Sequence, residues 1–297
     1  MTTAKPFGFL LIDKEQGWTS HDVVAKVRSS LGGKVGHAGT LDPMATGLLV
    51  LGLGRATKLL RYVQGGQKEY LATAQLGVAT DTLDADGAIM SREPLPVTEE
   101  QLIDVMQRFT GEIMQIPPMV SARKVEGKRL YELAREGKVI EREARPVTID
   151  RLELIDLAPS DYPEATFRTV CSTGTYVRTL ADDIGRALGG RAHLVALRRV
   201  RNGAMLVRDA CSVDTAVSLA RSGQVDERIV SPWDALAGMA AIEVDDATAF
   251  RVRNGRALSA DGNVAEGDTV RIGSPAGHLL AVYRRAGDSL LPEVVLP

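Results

Sequence analysis

The hydrophobic positions near the N-terminus change their spacing twice. Residues 7–12 and 48–53 are short, continuous apolar runs, which predict two buried strands. Between them, valines at positions 23, 24 and 27 follow a possible cap at Thr19 or Ser20, and this spacing predicts a helix that ends near Leu31. Two buried strands with a helix between them indicate a globular core close to the start of the chain.

The middle of the chain continues with elements in irregular order. A capping-box pattern at Thr98 opens one predicted helix, which Gly111 can close. The other elements predicted here are a helix over residues 55–63, strands over residues 70–76, 146–156 and 165–172, and a helix over residues 176–188. Because helices and strands do not alternate regularly, the sequence predicts an α+β fold with a mixed, largely antiparallel sheet flanked by helices.

The last quarter of the chain has a different character. From residue 242 onward, short apolar segments are separated by glycines, a pattern typical of a small β-barrel or sandwich. We therefore predict one domain over residues 1–232 and a second over residues 239–297. Residues 117–146 are interpreted as an insertion into the first domain, because a Pro-Pro pair there precedes a short, charged helical pattern.

Composition narrows the class of protein without identifying it. The chain has 297 residues, of which 44% are hydrophobic and 25% charged, and these values exclude a disordered or collagen-like chain. No apolar run reaches the roughly 18 residues of a membrane helix, and we expect no signal peptide and no membrane partner. Cys171 and Cys211 are too few for a disulfide framework, so we expect a cytoplasmic location.

The positive charge is distributed unevenly along the chain. With 36 Lys and Arg against 38 Asp and Glu, the net charge of −2 excludes a uniformly basic nucleic-acid binder. However, residues 186–208 carry six arginines and no acidic residue, and residues 123–145 carry eight cations against five glutamates. These stretches are either solvated faces or contact surfaces for a polyanion, and the sequence leaves both interpretations open.

A glycine-rich segment is the strongest candidate for chemistry. Residues 36–47 read GHAGTLDPMATG, in which Pro43 directs Asp42 away from helical backbone angles and into an extended conformation. A carboxylate on such a loop, beside small residues, can approach a ligand closely. The alternative is that Asp42 only opens a turn, as Asp-Pro pairs often do.

Other patterns in the sequence give weaker evidence for a metal or nucleotide site. The four histidines lack metal-ligand spacing, and the Gly-Leu-Gly at residues 52–54 completes neither a dinucleotide fingerprint nor a P-loop. Residues 82–87 with Glu93 match the later positions of a calcium loop, but the first position is Thr82, so we interpret the segment as a polar turn. We therefore expect neither a cofactor nor a metal.

Five motifs lie along the chain. The first continues the glycine-rich segment to residue 49, and the second is the Lys-x-Tyr strand at Lys68 and Tyr70. The others are QIPPMVSA at residues 115–122 with Arg145-Pro146, CSTGTYVRTLADDIG at residues 171–185, and HLVALRR at residues 193–199. Together they resemble the TruB family of bacterial tRNA pseudouridine-55 synthases. One departure is Glu15, where the family's opening motif has proline after Asp13-Lys14.

The resemblance implies a fold, a reaction and a set of site residues. It implies a pseudouridine synthase fold with a PUA-like RNA-binding barrel at the C-terminus, acting on uridine 55 in the T-loop of the tRNA T-arm, without guide RNA and as a monomer. Insertion 117–146 would grip the RNA. The target base would be flipped into the site, detached from its sugar and rejoined through carbon. The implied residues are Asp42 as nucleophile, Arg178 as its charge partner, Tyr70 as stacking and proton-transfer residue, Tyr176 and Leu197 in the pocket wall, and His37 on the RNA.

Two other functions remain open on the sequence alone. The same scaffold could bind and remodel RNA without catalysis, and a growth or tRNA-folding assay with Asp42→Asn would separate that role from turnover. An aspartate-nucleophile hydrolase of small molecules would leave the basic stretches and the C-terminal barrel unexplained.

Overall fold

The computed structural model describes residues 6–119, 142–260 and 263–296, together with the backbone at residues 124–125 and 128–129. The helical segment that we predict inside the insertion lies outside these residues. Most strands belong to one ten-stranded sheet, and five strands near the C-terminus form a second, smaller sheet.

Strands were predicted over residues 7–12, 48–53, 70–76, 146–156 and 165–172, and a strand overlaps each of these ranges. Several other strands, including the central strand over residues 192–202, were not predicted. In chain order the strands are β1 (Gly8–Lys14), β2 (Val35–His37), β3 (Thr46–Leu53), β4 (Lys68–Leu76), β5 (Val78–Thr80), β6 (Ile89–Arg92), β7 (Gly111–Gln115), β8 (Lys124–Val125), β9 (Lys128–Arg129), β10 (Arg145–Ala158), β11 (Glu164–Cys171), β12 (Ala192–Asn202), β13 (Met205–Leu206), β14 (Ile229–Val230), β15 (Ala240–Glu243), β16 (Leu258–Ser259), β17 (Thr269–Gly273), β18 (Leu279–Ala286) and β19 (Ser289–Val295).

Two helices begin at caps that the sequence predicted, whereas the helix predicted over residues 55–63 is divided into a 3-10 helix and a short α-helix. The helices are α1 (Ser20–Leu31), α2 (Leu60–Gly65), α3 (Glu99–Gln107), α4 (Val177–Ala187), α5 (Val213–Ser222), α6 (Pro232–Ala235) and α7 (Asp246–Arg253), with short 3-10 helices at Gly54–Leu59, Val207–Asp209 and Val225–Arg228. Thr19 and Thr98 each form a complete capping box at the start of α1 and α3. The prediction that Gly111 closes α3 is wrong. The helix ends at Gln107, and Gly111, with a φ of +97°, begins β7.

The large sheet is mixed and largely antiparallel, as predicted. Its strand order is β14-β1-β3-β12-β4-β11-β10-β7, with β2 paired to β3 and β13 to β12, and only the β3–β12 pair is parallel among the described strands of this sheet. This parallel pair sets Gly47, at the end of the glycine-rich segment, opposite Arg199. A side chain at Gly47 would lie 2.3 Å from the Arg199 carbonyl oxygen, so the close approach requires glycine.

The two faces of the large sheet are covered differently. Helices α1, α3, α4 and α5 pack on one face through a single apolar cluster that includes Leu10, Val27, Leu102 and Leu180. The other face is covered by α2, α6 and part of the C-terminal sheet. Both faces of the central strands are therefore buried, which explains their continuous apolar runs.

The C-terminal sheet is a curled half-barrel of order β15-β17-β18-β19-β16 that fits a PUA-like domain, and it contacts the large sheet. Leu279 and Leu296 belong to the same buried cluster as Phe9 on β1. Glu293 adds a polar contact, because its carboxylate accepts hydrogen bonds from Tyr62 at 2.5 Å and Arg61 at 3.1 Å. The two sheets therefore share part of their core.

No helix within the described ranges is both long and apolar enough to cross a membrane.

Candidate active site

The loop that carries Asp42 is fixed by hydrogen bonds from outside the loop. Ser20, in the first turn of α1, exchanges two hydrogen bonds with the backbone of Leu41. The carbonyl oxygen of Pro43 accepts from the backbone N–H of Gly17 at 2.9 Å and from the Lys14 ammonium at 3.3 Å. Because both neighbours of Asp42 are tied to other elements, the direction of its side chain is set by the fold.

Lys14 is the centre of this anchoring and is fully buried. Besides Pro43, its ammonium donates to the carbonyl oxygens of Glu15 at 3.0 Å and Trp18 at 2.7 Å. The turn that begins with Glu15, where the resembled family has proline, is therefore held by the side chain that precedes it. Burial lowers the pKa of Lys14 to about 8, against the opposing effect of the Asp42 carboxylate.

Arg178 joins Asp42 in a bidentate ion pair. The Arg178 Nε lies 3.0 Å from one Asp42 carboxylate oxygen, and its Nη2 donates to the other at 3.2 Å. Arg178 lies in the first turn of the amphipathic helix α4, and its side chain is buried although it is charged. The structure thus brings together the two residues on which the predicted chemistry depends.

A second carboxylate, which the sequence did not identify as part of the site, holds Arg178 from the opposite side. The Nη1 of Arg178 donates to Asp84 at 3.0 Å and to the Thr82 carbonyl oxygen at 2.9 Å. Leu83, between these two acceptors, has a φ of +63°, the only positive φ of a non-glycine residue in the described chain. The segment we interpreted as a polar turn is indeed a turn, and its strained backbone delivers Asp84 to the site.

Opposing influences act on the charge of Asp42. Burial raises the pKa of the Asp42 carboxyl above its ordinary value, the Arg178 guanidinium opposes that rise, and Asp84 adds to it. The side chain is surrounded by protein yet keeps 35% of its surface open to a cavity. A carboxylate in this position is poorly hydrated and accessible, which are the properties of a reactive nucleophile.

The cavity beside Asp42 has a volume of about 310 Å³, at the small end of ligand pockets. Tyr70, Tyr176, Arg178 and Leu197 line it, as the resemblance implied. Tyr176 ends the loop before α4, and its backbone N–H and carbonyl each hydrogen-bond to the buried side-chain amide of Gln115, at 2.7 and 3.1 Å. A space of this size accommodates one nucleotide and excludes a duplex.

Tyr70 meets a buried cation within this wall. Burial raises the pKa of its phenol, and the positive charge of the nearby Arg199 guanidinium works in the opposite direction. Arg199, 1% exposed, also donates to the carbonyl oxygens of Leu48 at 2.7 Å and Gly39 at 3.0 Å. One guanidinium therefore connects the stacking candidate Tyr70 with the start of the Asp42 loop.

His37 lies apart from the other candidates. It is at the end of β2, outside the residues that line the cavity, and its ring packs edge-on against His21 with 5.4 Å between the centroids. Its expected contact with RNA stays a prediction.

Most arginines of the stretch over residues 186–208 have acceptors within the protein, and the contact of this stretch with a polyanion stays a prediction. Much of the stretch is the central strand β12. Arg186 and Arg191 both bind Asp182, Arg198 binds Asp13, Arg199 binds backbone carbonyls, and Arg201 binds Glu69. The second stretch falls mainly outside the described residues. Of its cations, Arg142 donates to the Pro117 carbonyl oxygen at 3.1 Å.

Two family models match successive parts of the chain. "TruB family pseudouridylate synthase (N terminal domain)" matches residues 26–177, and "tRNA pseudouridylate synthase B C-terminal domain" matches residues 178–236. The chain belongs to the TruB family of pseudouridylate synthases. Pseudouridylate synthases are isomerases, so the predicted family and enzyme class are confirmed. Asp42 and Arg178 fall in different family models but meet at one site of this TruB-family chain.

Curated relatives extend this similarity over nearly the whole chain. The chain is 41% identical to "tRNA pseudouridine synthase B" of Bacillus pumilus (strain SAFR-032), over 94% of this chain and 93% of that protein. It is 44% identical to the protein of the same name from Burkholderia lata, over 96% of this chain and 89% of the relative.

Solved structures confirm the fold. The chain is similar to one in the crystal structure of a Cbf5-Nop10-Gar1 complex, with a TM-score of 0.77, 27% identity, and coverage of 98% of this chain and 85% of that chain. It is also similar to a chain in an H/ACA RNP bound to a substrate RNA containing 2′-deoxyuridine, with a TM-score of 0.75, 26% identity, and coverage of 98% and 86%.

Proposed function

We propose that this TruB-family chain isomerises uridine 55 in the T-loop of tRNA to pseudouridine, with Asp42 as the nucleophile. The observation that carries the proposal is the bidentate pairing of the Asp42 carboxylate with buried Arg178 at the edge of a cavity of nucleotide size. The names of the relatives supply tRNA as the substrate, and one of the similar solved structures is bound to a substrate RNA.

The proposed roles follow from position. Asp42 adds to the nucleotide while Arg178 keeps it ionised in a cavity from which the base excludes water. Tyr70, on the cavity wall, stacks on the flipped base and helps to remove a proton from the rearranged ring. Tyr176 and Leu197 complete the wall, and His37 contacts the RNA outside it. All these residues come from one chain, so the proposed site needs no second subunit; action as a monomer without a guide RNA is proposed from the family resemblance.

The C-terminal sheet is proposed to bind RNA, within the predicted division into domains 1–232 and 239–297. Phe250 on α7 is 70% exposed, the most exposed large hydrophobic side chain among the described residues. Three exposed arginines follow it in sequence, at positions 251, 253 and 256. Exposed aromatic and guanidinium groups together suit an RNA partner, because they offer stacking and phosphate contact. Two buried free thiols, Cys171 and Cys211, fit the cytoplasmic location that we propose.

The test is tritium release from labelled uridine in unmodified tRNA. The wild-type chain should form pseudouridine, and Asp42→Asn should bind the same tRNA with at least about 10³-fold lower turnover, because loss of a nucleophile is severe. Turnover by Asp42→Asn would reject the nucleophile. Tight tRNA binding without turnover by the wild type would favour the non-catalytic remodelling function.

A further inference from the structure

Cations outnumber carboxylates in the wall around the Asp42 cavity. Three cationic side chains that line it, Lys68, Arg178 and Arg199, are each less than 5% exposed, and Asp42 is the carboxylate in the same lining. Lys14 and Asp84 are also buried and lie behind this lining, near Asp42 and Arg178 respectively. Burying charge without a counter-charge is costly, so such an excess is unusual. It is suited to negative charge that arrives with, or develops on, a bound ligand.

Lys68 lines the cavity, and its positive charge is not paired with a carboxylate among the described residues. Its ammonium donates to the carbonyl oxygens of Gln64 and, at 2.6 Å, of Gly66. An ammonium has three N–H groups, so one donor remains for the cavity that Lys68 lines. Among the described residues, no carboxylate lies within ion-pair distance of Lys68.

The groups packed around Lys68 do not supply a counter-charge. Its cross-strand neighbours are Cys171 on β11 and Asn202 on β12. Burial raises the pKa of the Cys171 thiol to about 11, so the thiol is neutral near pH 7. Burial, with the nearby Arg199 guanidinium, lowers the pKa of Lys68 to about 8, so the ammonium is largely protonated near pH 7 and loses its proton slightly above that.

Lys68 also lies where the uracil ring is expected. It precedes Tyr70 by two residues on β4, and side chains at this spacing project from the same face, roughly 7 Å apart along the strand. Both line the same cavity. A ring stacked on Tyr70 is therefore within reach of the remaining N–H of Lys68.

We propose that Lys68 is a catalytic residue whose ammonium stabilises the negative charge on the uracil ring during isomerisation. The inference rests on the proposed function. When the C1′–N1 bond breaks, its electron pair stays with the ring. A C1′–C5 bond then forms, the proton on C5 leaves and N1 gains a proton, so no oxidant or reductant is required. If Asp42 adds to the ring instead of the sugar, the ring also receives the negative charge, and the role of Lys68 is the same.

The test compares Lys68→Met, which keeps the length and removes the charge, with Lys68→Arg, which keeps the charge. Lys26→Met, on the exposed side of α1, is the control. Single-turnover rates are measured on pre-bound tRNA, together with tRNA affinity and far-UV circular dichroism. We expect Lys68→Met to slow the reaction about 10²-fold, with affinity changed less than about threefold, and Lys68→Arg to recover part of the rate. The wild-type rate should fall as the pH rises through about 8, and a folded Lys68→Met should lack that fall.

Two results would overturn the proposal. One is a folded Lys68→Met with a rate within about threefold of the wild type, or with a loss confined to affinity. The other applies if Lys68→Met does not fold: a wild-type rate that does not change as the pH rises through about 8 then overturns the inference. Absence of pseudouridine with the wild-type chain is a different result, because it rejects the proposed function itself.

Discussion

The cavity of the large sheet and the surface around α7 in the C-terminal region both present arginines, but in opposite ways. Arg178 and Arg199 are buried, and their donors are directed to identified acceptors at 2.7–3.2 Å. Arg253, the last residue of α7, and Arg256, three residues later, are exposed, and no ion pair of either occurs among the described residues. A reaction requires charges in fixed positions, whereas attraction of a polyanion requires only their field. The comparison predicts effects on turnover in the first region and on affinity in the second.

The largest effect that tests this comparison is expected from Asp84→Asn. The substitution removes one of the two carboxylates that hold Arg178, so the guanidinium is less firmly oriented toward Asp42. Loss of such a supporting partner costs roughly 10–100-fold in activity, and we expect that loss in kcat with KM nearly unchanged. Asp86→Asn, an exposed position on the same turn, is the matched control. A kcat of Asp84→Asn within about twofold of wild type would show that the Asp84 carboxylate is not needed to position Arg178.

An intermediate effect is expected from removing three arginines together on α7 and in the loop after it, Arg251→Ala, Arg253→Ala and Arg256→Ala. We predict a loss of tRNA affinity of about tenfold and an unchanged kcat at saturating tRNA. The salt dependence of binding should also become weaker, because up to about three fewer counterions are released when the tRNA binds. The control removes two exposed arginines of the large-sheet region, at positions 108 and 221. A fall in kcat without a change in salt dependence would contradict the contrast between the two regions.

Point substitutions are preferable to truncation for this purpose. Deleting the chain after about residue 238 should weaken affinity more than it slows chemistry if the second sheet only binds RNA. However, Leu279 and Leu296 are buried with Phe9 of β1, so the deletion would also expose the core of the large sheet. Loss of activity after truncation would therefore mix binding with folding.

The smallest effect concerns the polar contact between the sheets. Partial burial opposes ionisation of Glu293, but hydrogen bonds from Arg284 and Tyr62 outweigh it, and the pKa of Glu293 lies below its ordinary 4.5. A lowered pKa stabilises the folded state above pH 4.5, and this contribution is lost as the pH falls through the folded-state pKa. We expect Glu293→Gln to reduce the unfolding free energy by about 1 kcal/mol at pH 7, with the difference shrinking in acid. Thermal unfolding at several pH values, with the exposed Glu266→Gln as control, would check this, and an equal difference at every pH would contradict it.

The sequence predicted the parts of the site whose signal is local. Asp42 stands out because glycines and a proline surround it within twelve residues, and α1 and α3 stand out because their caps lie beside them in the chain. Asp84 was interpreted as a turn residue because its partner Arg178 is 94 residues away. Arg199 was grouped with surface arginines because a charged strand buried at the centre of a sheet has no characteristic sequence pattern. The carbonyl oxygens that accept from Arg199 are brought to it only when β12 pairs with β3.

The pairing of Gly47 with Arg199 has a consequence for the order of folding. The Asp42 loop cannot reach its final shape until β12 lies against β3, and about 150 residues separate the two strands. Contacts across so long a stretch of chain form slowly, because closing the intervening loop costs entropy. During synthesis, the first 190 residues would leave the ribosome with every proposed catalytic side chain present and no competent site. Catalysis begins only when β12 is in place, so enzymatic activity reports the docking of this central strand against β3.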